Sequence, residues 1–114
     1  MAFPGTFNFS YYRGDTNQFV IRPKNASGAA FDLTGYTAQF KIANRRGSTG
    51  TQYEAQSVVD TVNDLITCTI LPGVGRQLTA GTFVYDVQIT TGASNIVTVL
   101  TGSITVTDDI TGAV

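Results

Sequence analysis

The sequence contains no histidine and no tryptophan, and it has one cysteine, one methionine and three prolines in 114 residues. Without histidine, the chain lacks the commonest general base, the usual serine or cysteine triads and most zinc sites. A single cysteine excludes an internal disulfide. Cys68 lies in phase with Ile66 and Ile70 and has no basic neighbour in sequence, which predicts a small core residue rather than a reactive thiol.

Charge is also scarce. Charged residues make up 13% of the chain and the net charge is -1, whereas an average protein has roughly 25% charged residues. This balance predicts no binding to nucleic acid or to a membrane, and it leaves little repulsion against self-association. No apolar run has the length of a membrane span, and the segment from Met1 to Phe7 does not resemble a signal peptide. We therefore expect synthesis in a cytoplasm.

The few candidate chemical motifs favour structural interpretations. Asp108 and Asp109 are adjacent on an extended chain, so they point to opposite faces, and no third acid lies nearby. The aspartates near predicted turns do not have the spacing of a calcium loop. The glycine-containing segment 47–50 follows Arg45 and Arg46, but a flexible loop is favoured over a phosphate site. The sequence thus predicts no catalytic residue, no cofactor and no metal.

One tripeptide, Arg13-Gly14-Asp15, matches a sequence known for integrin binding. Gly14 suits a positive φ angle and Asp15 suits a side-chain cap, so the tripeptide is predicted to form a tight turn.

Alternating apolar and polar residues are the clearest pattern that is present. The stretch from Gly81 to Thr107 predicts a long hairpin with a loop at 91–95 and a bulge or bend at Gly102. Further strands are predicted at 6–12, 18–22, 36–43, 53–61 (a weaker, edge strand) and 65–71, with one helical turn around 76–78. The predicted core consists of Phe40, Ile42, Ile66, Cys68, Ile70, Phe83, Tyr85, Val87 and Ile89.

Short strands at this spacing predict one all-β domain over residues 1–114, an antiparallel immunoglobulin-like β-sandwich of about seven to eight short strands. A short N-terminal arm (1–5) and a C-terminal tail (108–114) lie outside the predicted strands.

Three groups of motifs carry a resemblance to a known family. They are Gly14-Asp15-Thr16 with Asp32-Leu33-Thr34-Gly35; Leu78 to Gly81 with Tyr85-Asp86-Val87-Gln88; and Thr101-Gly102-Ser103-Ile104-Thr105-Val106 closing on Asp109-Ile110-Thr111. Their order resembles the small immunoglobulin-like modules of tailed-phage virion proteins, both the N-terminal domain of baseplate upper proteins and stand-alone capsid decoration (cement) proteins. The baseplate and fibre proteins continue into a helical or fibrous extension, whereas this chain ends soon after its last predicted strand.

The resemblance implies a non-enzymatic virion protein, made in the host cytoplasm, that bridges neighbouring shell subunits. Its implied partners are other virion proteins, above all the major capsid protein, with self-association on the particle. The N-terminal arm, the segment 44–51 and the C-terminal tail are the expected contact segments, because termini and loops are free to reach a neighbour. The candidate interface residues are Met1, Phe3, Pro4, Asn44, Arg45, Arg46, Ser48, Thr49, Ile110 and Val114.

Two alternatives remain open from the sequence. One is a tail, baseplate or fibre adaptor, which is also structural. The other is a receptor- or carbohydrate-binding module, in which Tyr11, Tyr12, Tyr36 or Tyr53 would form a stacking platform. An exposed cluster of these tyrosines would favour the second alternative.

Overall fold

The computed structural model describes residues 5–24, 27–45, 51–92 and 95–108. They form an all-β, sandwich-like fold of eight strands and one short helix, which confirms the fold class predicted from the sequence. The elements are β1 (Gly5–Thr6), β2 (Phe9–Tyr12), β3 (Asn17–Ile21), β4 (Tyr36–Ala43), β5 (Gln52–Asp60), β6 (Leu65–Ile70), α1 (Pro72–Gly75), β7 (Gly81–Thr91) and β8 (Asn95–Thr107). Within these ranges, no helix is long and apolar enough to cross a membrane.

The strands follow one another in a curled sheet in the order β1-β8-β7-β4-β5-β6-β3, and β2 also pairs with β8. Strand β5 joins two layers, because residues 52–55 pair with β4 whereas residues 56–60 pair with β6. We call β1, β2, β8, β7, β4 and the first half of β5 the front layer, and the second half of β5, β6 and β3 the back layer. The strand predicted at 53–61 is confirmed as β5, but its predicted edge position was wrong, since β5 links the layers.

The pairing is antiparallel except at the start of the chain, where β1 and β2 run parallel to β8. This departs from the purely antiparallel sandwich that was predicted. The predicted first strand is also divided in two, because the ladder with β8 is interrupted at Phe7 and Asn8, although β1 and β2 pair with β8 in one continuous register. Gly5 belongs to β1 and not to the predicted N-terminal arm, whose residues 1–4 lie outside the described part of the chain.

The core lies between the two layers, and all nine residues predicted for it are buried. Its centre is aromatic: Phe19 and Tyr85 each lie close to Phe40, with ring centroids 5.5 and 5.6 Å apart in edge-to-face geometry. Phe9 approaches Tyr85 in the same way, at 5.4 Å. Such edge-to-face pairs stabilise a core beyond their buried area. The alternation along each strand therefore identified the inward face correctly.

The connections between strands, and strand β2, supply further core residues that alternation did not reveal. Leu33 and Leu78 lie outside the strands and are fully buried, and the Leu33 N–H donates a hydrogen bond to the Asp64 carboxylate at 3.2 Å. Tyr11 is buried in β2, and its hydroxyl donates to the Asp15 carbonyl at 2.6 Å. The helical turn lies at Pro72–Gly75, earlier than the predicted 76–78, because proline at the first helical position favours a start there.

Gly102 is not the predicted bulge. The register of β7 and β8 shifts between Val87 and Gln88, so that Val99 is the extra residue on β8. At Gly102 the backbone of Phe7 comes too close for a side chain, since a Cβ atom there would lie 2.0 Å from the Phe7 carbonyl oxygen. That oxygen accepts a hydrogen bond from the Tyr85 hydroxyl at 2.5 Å. The glycine therefore provides space for the close approach of the Phe7 backbone.

Candidate interaction surfaces

Two of the ten candidate interface residues, Asn44 and Arg45, lie in the part of the chain that the structure describes, and both are exposed. Asn44 closes the base of the 44–51 loop: its side-chain oxygen accepts a hydrogen bond from the Thr51 N–H at 2.9 Å, and its own N–H donates to the Thr51 carbonyl at 3.3 Å. Asn44 therefore has a structural role in the loop. The other eight lie outside the described residues: Met1, Phe3, Pro4, Arg46, Ser48, Thr49, Ile110 and Val114.

Arg45 borders a polar groove on the outer face of the front layer. The groove has a volume of about 250 Å³ and is lined by outward-facing residues of β4, β5 and β7, among them Lys41, Gln52 and Asp86. Lys41 is paired with Asp86 on one side and with Glu54 on the other, so that negative, positive and negative side chains alternate across three strands. Charged groups and amides together offer donors and acceptors to a polar partner. We call this surface the polar groove.

An apolar cleft lies between the free edges of the two layers. It has a volume of about 310 Å³, with Phe7 and Leu100 on the front layer and Phe19, Val20, Ile21 and Arg22 on β3 and the residue after it. Phe7 is 44% exposed and Val20 is 42% exposed, although both are large apolar side chains. The cleft is an opening at the end of the sandwich opposite β5.

The turn at Arg13-Gly14-Asp15 is held by contacts that occupy its arginine. The Arg13 guanidinium donates to the carbonyls of Leu78 and Arg76, both at 2.8 Å. Gly14 has a φ of +90°, as the predicted turn requires. Since its arginine ties the turn to the connection between β6 and β7, the geometry favours the structural interpretation of the tripeptide over an adhesive one.

The five tyrosines all lie in described segments and do not form an exposed cluster. Tyr11 and Tyr85 are buried, while Tyr36 and Tyr53 are partly buried and pack edge-to-face against phenylalanines. Tyr12 is 59% exposed, on β2. A tyrosine stacking platform for sugars is therefore not assembled from these side chains.

The titratable groups with perturbed environments are structural. Burial raises the pKa of the Cys68 thiol to about 12 and that of Tyr85 to about 12. Hydrogen bonds from Thr34 lower the pKa of Asp32, and hydrogen bonds from Asn63 lower that of Asp60. Over residues 5–24, 27–45, 51–92 and 95–108, no three acidic or cysteine side chains come close enough to hold a metal ion.

Sequence reasoning missed both the polar groove and the apolar cleft. Lys41 lies in the polar phase of the predicted strand 36–43, but nothing local indicates that Asp86, 45 positions later, pairs with it. A usable signal was present in the polar phase of strands 36–43 and 81–91, whose outward residues are long amides and charges such as Gln39 and Gln88. The cleft has no such signal, because it depends on where the two layers end.

Comparisons with known proteins leave the family open. No protein-family model matches the chain, and no curated protein is similar to it. Among solved structures, a family 123 glycoside hydrolase from Clostridium perfringens, studied for glycolipid glycan hydrolysis, is 12% identical with a TM-score of 0.41. The alignment covers 93% of this chain and 23% of the hydrolase chain, so the protein spans about a quarter of that enzyme's length. A likeness this distant says nothing about activity.

Proposed function

We propose that this protein is a non-enzymatic structural protein of a tailed-phage virion, a capsid decoration protein that bridges and stabilises neighbouring shell subunits. The motif resemblance provides the virion assignment. The supporting feature of the structure is a rigid β platform whose inward side chains form one core and whose outward side chains are available for a partner.

The observation that carries the proposal is the position of the polar groove beside the 44–51 loop. In a chain with few charges, Lys41, Arg45, Glu54 and Asp86 lie on one face of the front layer. A rigid strand surface holds such groups at fixed spacing, so a complementary partner surface can bind with little loss of conformational entropy. Arginine and lysine form their strongest hydrogen bonds with carboxylates that are partly removed from water.

Decoration does not require tight binding by one copy. Many copies on one lattice act together, since each copy that contacts two shell subunits must be displaced before those subunits separate. We expect each copy to bind modestly and the decorated shell to gain stability as occupancy rises.

Location on the particle is the first test. Particles of the phage that encodes the chain are purified and imaged by electron cryomicroscopy, and the copy number is measured by quantitative mass spectrometry. Density over the capsid lattice at a copy number matching its symmetry is the expected result. Density on the tail would support the adaptor alternative instead, and absence from purified particles would refute the virion assignment.

The contact surface is tested with matched double variants. Lys41→Ala with Arg45→Ala should weaken retention on particles, whereas Lys24→Ala with Arg76→Ala removes the same two charges elsewhere on the surface and should leave retention unchanged. Deletion of residues 1–4 and Arg46→Ala extend the test to the other expected contact segments. If every variant stays bound at full copy number in high salt, the polar groove and these segments are not the contact surface.

A further inference from the structure

Strand β3 forms an unprotected edge of the back layer. Its residues Asn17–Ile21 pair with β6 on one side, and among the described residues no strand pairs with the other side. The strand has no charged residue, no proline and no register shift against β6; charge and proline come only at Arg22 and Pro23. Free edges of this kind promote pairing with another chain, and soluble proteins usually protect them with charges, prolines, bulges or short strands.

The other sheet edges are protected. The front-layer edge is formed by β1 and β2, which have two and four residues and are separated by an interruption of the ladder at Phe7 and Asn8. The second half of β5 remains tied to the front layer, because the Ser57 hydroxyl donates a hydrogen bond to the Ala38 carbonyl of β4 at 3.1 Å. Strand β3 is thus the exception among the edges described.

The apolar cleft lies directly beside this edge. A further strand placed alongside β3 would extend the back layer over Phe7 and Leu100, which face the gap from the front layer. Its inward side chains would then cover the cleft, and burial of exposed apolar surface stabilises association. An occupant therefore has to be extended and apolar on its inward face.

We propose that the occupant is β3 of a second copy of this chain, paired antiparallel across a twofold axis at Phe19. That register pairs all five residues of the strand, with Asn17 opposite Ile21 and Gln18 opposite Val20 of the second copy. Paired residues keep the same inward or outward face in this register, as a continuous sheet requires. The inward side chains of β3 are those of Asn17, Phe19 and Ile21, all partly buried, and the apolar ones that each copy offers to the cleft are Phe19 and Ile21.

Charge is compatible with this pairing. No like charges lie opposite each other, since β3 is uncharged. The same register puts Arg22 opposite Thr16 of the second copy and next to its Asp15, and both charged residues are exposed. Two symmetry-related arginine–aspartate contacts would therefore border the paired strands. The low net charge of the chain adds little opposing repulsion.

The test uses the purified full chain and sedimentation velocity with light scattering, from roughly 1 μM to 1 mM, the range of weak to moderate dimers. Wild-type protein should be a dimer. The double variant Gln18→Glu with Val20→Glu places glutamates opposite each other twice in the dimer, so its dissociation constant should rise by at least about tenfold. Both positions are exposed, and circular dichroism confirms that the variant folds.

Charge exchange makes the test specific. Gln18→Lys with Val20→Lys should also be monomeric alone, and an equimolar mixture with the glutamate variant should form a heterodimer. The matched control, Gln56→Glu with Val58→Glu, makes the same changes on the outer face of β5 and should remain a dimer. A monomeric wild type, a dimeric glutamate variant, a mixture that does not associate, or a control that dissociates would each overturn the proposal. None of these results depends on the virion assignment.

Discussion

Replacement of Gly102 by alanine should destabilise the fold far more than the small size of the added methyl group suggests. The added Cβ atom would lie 2.0 Å from the Phe7 carbonyl oxygen and 3.0 Å from the Asn8 side-chain oxygen, so Phe7 and Asn8 have to move. Their movement breaks the hydrogen bond from the Tyr85 hydroxyl to Phe7, and it also strains the bond from the Ser103 N–H to Asn8.

The magnitude follows from these contacts. A buried hydroxyl left without a partner costs about 1–3 kcal/mol, and each further hydrogen bond lost contributes about 0.5–1.5 kcal/mol. The hydrogen bond from the Ser103 N–H to Asn8 is exposed, so hydrogen bonds to water offset part of the cost of losing it. We expect a loss of about 2–4 kcal/mol in the free energy of unfolding, a large share of the roughly 5–15 kcal/mol of a small domain. At about 4 °C per kcal/mol, Tm should fall by about 8–16 °C.

Urea denaturation followed by circular dichroism measures this free energy. Gly73→Ala is the control, because a Cβ atom there meets nothing within 4 Å; since Gly73 lies in α1, this change should leave the free energy of unfolding unchanged or raise it by up to about 1 kcal/mol. Tyr85→Phe tests the cause: once Gly102→Ala has broken the hydroxyl contact, adding Tyr85→Phe should cost much less than it does in the wild type. If the free energy of unfolding of Gly102→Ala lies within about 0.5 kcal/mol of wild type, the range of a neutral surface change, the explanation from the close approach of Phe7 is refuted.

Three further outcomes are expected. Phe40→Ala should cost about 3–5 kcal/mol by urea denaturation, because the fully buried ring lies at the centre of the aromatic core; a loss below about 1 kcal/mol would contradict that position. The Cys68 thiol, whose pKa is raised to about 12 by burial, should not react with a thiol reagent in the native protein at pH 8 and should react in urea; rapid native labelling would show that the site opens. Hydrogen bonds lower the pKa of Asp60 below its ordinary 3.8, so its contribution to stability is present above that pH and is lost as the pH falls through the lower folded value. The urea midpoint should therefore depend less on acid pH in Asp60→Asn than in wild type, and equal slopes would exclude this role.

The sequence by itself determined the local pattern of each strand. Alternation has a period of two, and it is visible wherever one face of a strand is buried, as in 36–43 and 81–91. The ends of the long hairpin and the inward phase of Phe40 and Tyr85 follow from neighbouring residues alone, so these predictions are confirmed. A loop at 44–51 was predicted from its lack of apolar residues; residues 46–50 lie outside the described part of the chain, and Asn44 and Thr51 are hydrogen-bonded to each other at its two ends.

Tertiary structure decided what depends on distant partners. Gly102 looks like a bulge in sequence, but its role comes from Phe7, which lies 95 positions earlier. Strand β5 appeared weak because its inward phase includes the small residues Ala55 and Ser57, and its position between the layers depends on pairing with both β4 and β6. The polar groove and the apolar cleft arise from strands that meet only after the sheet has curled. A pattern within one strand records which face is buried, whereas the identity of the neighbouring strand depends on the path of the whole chain.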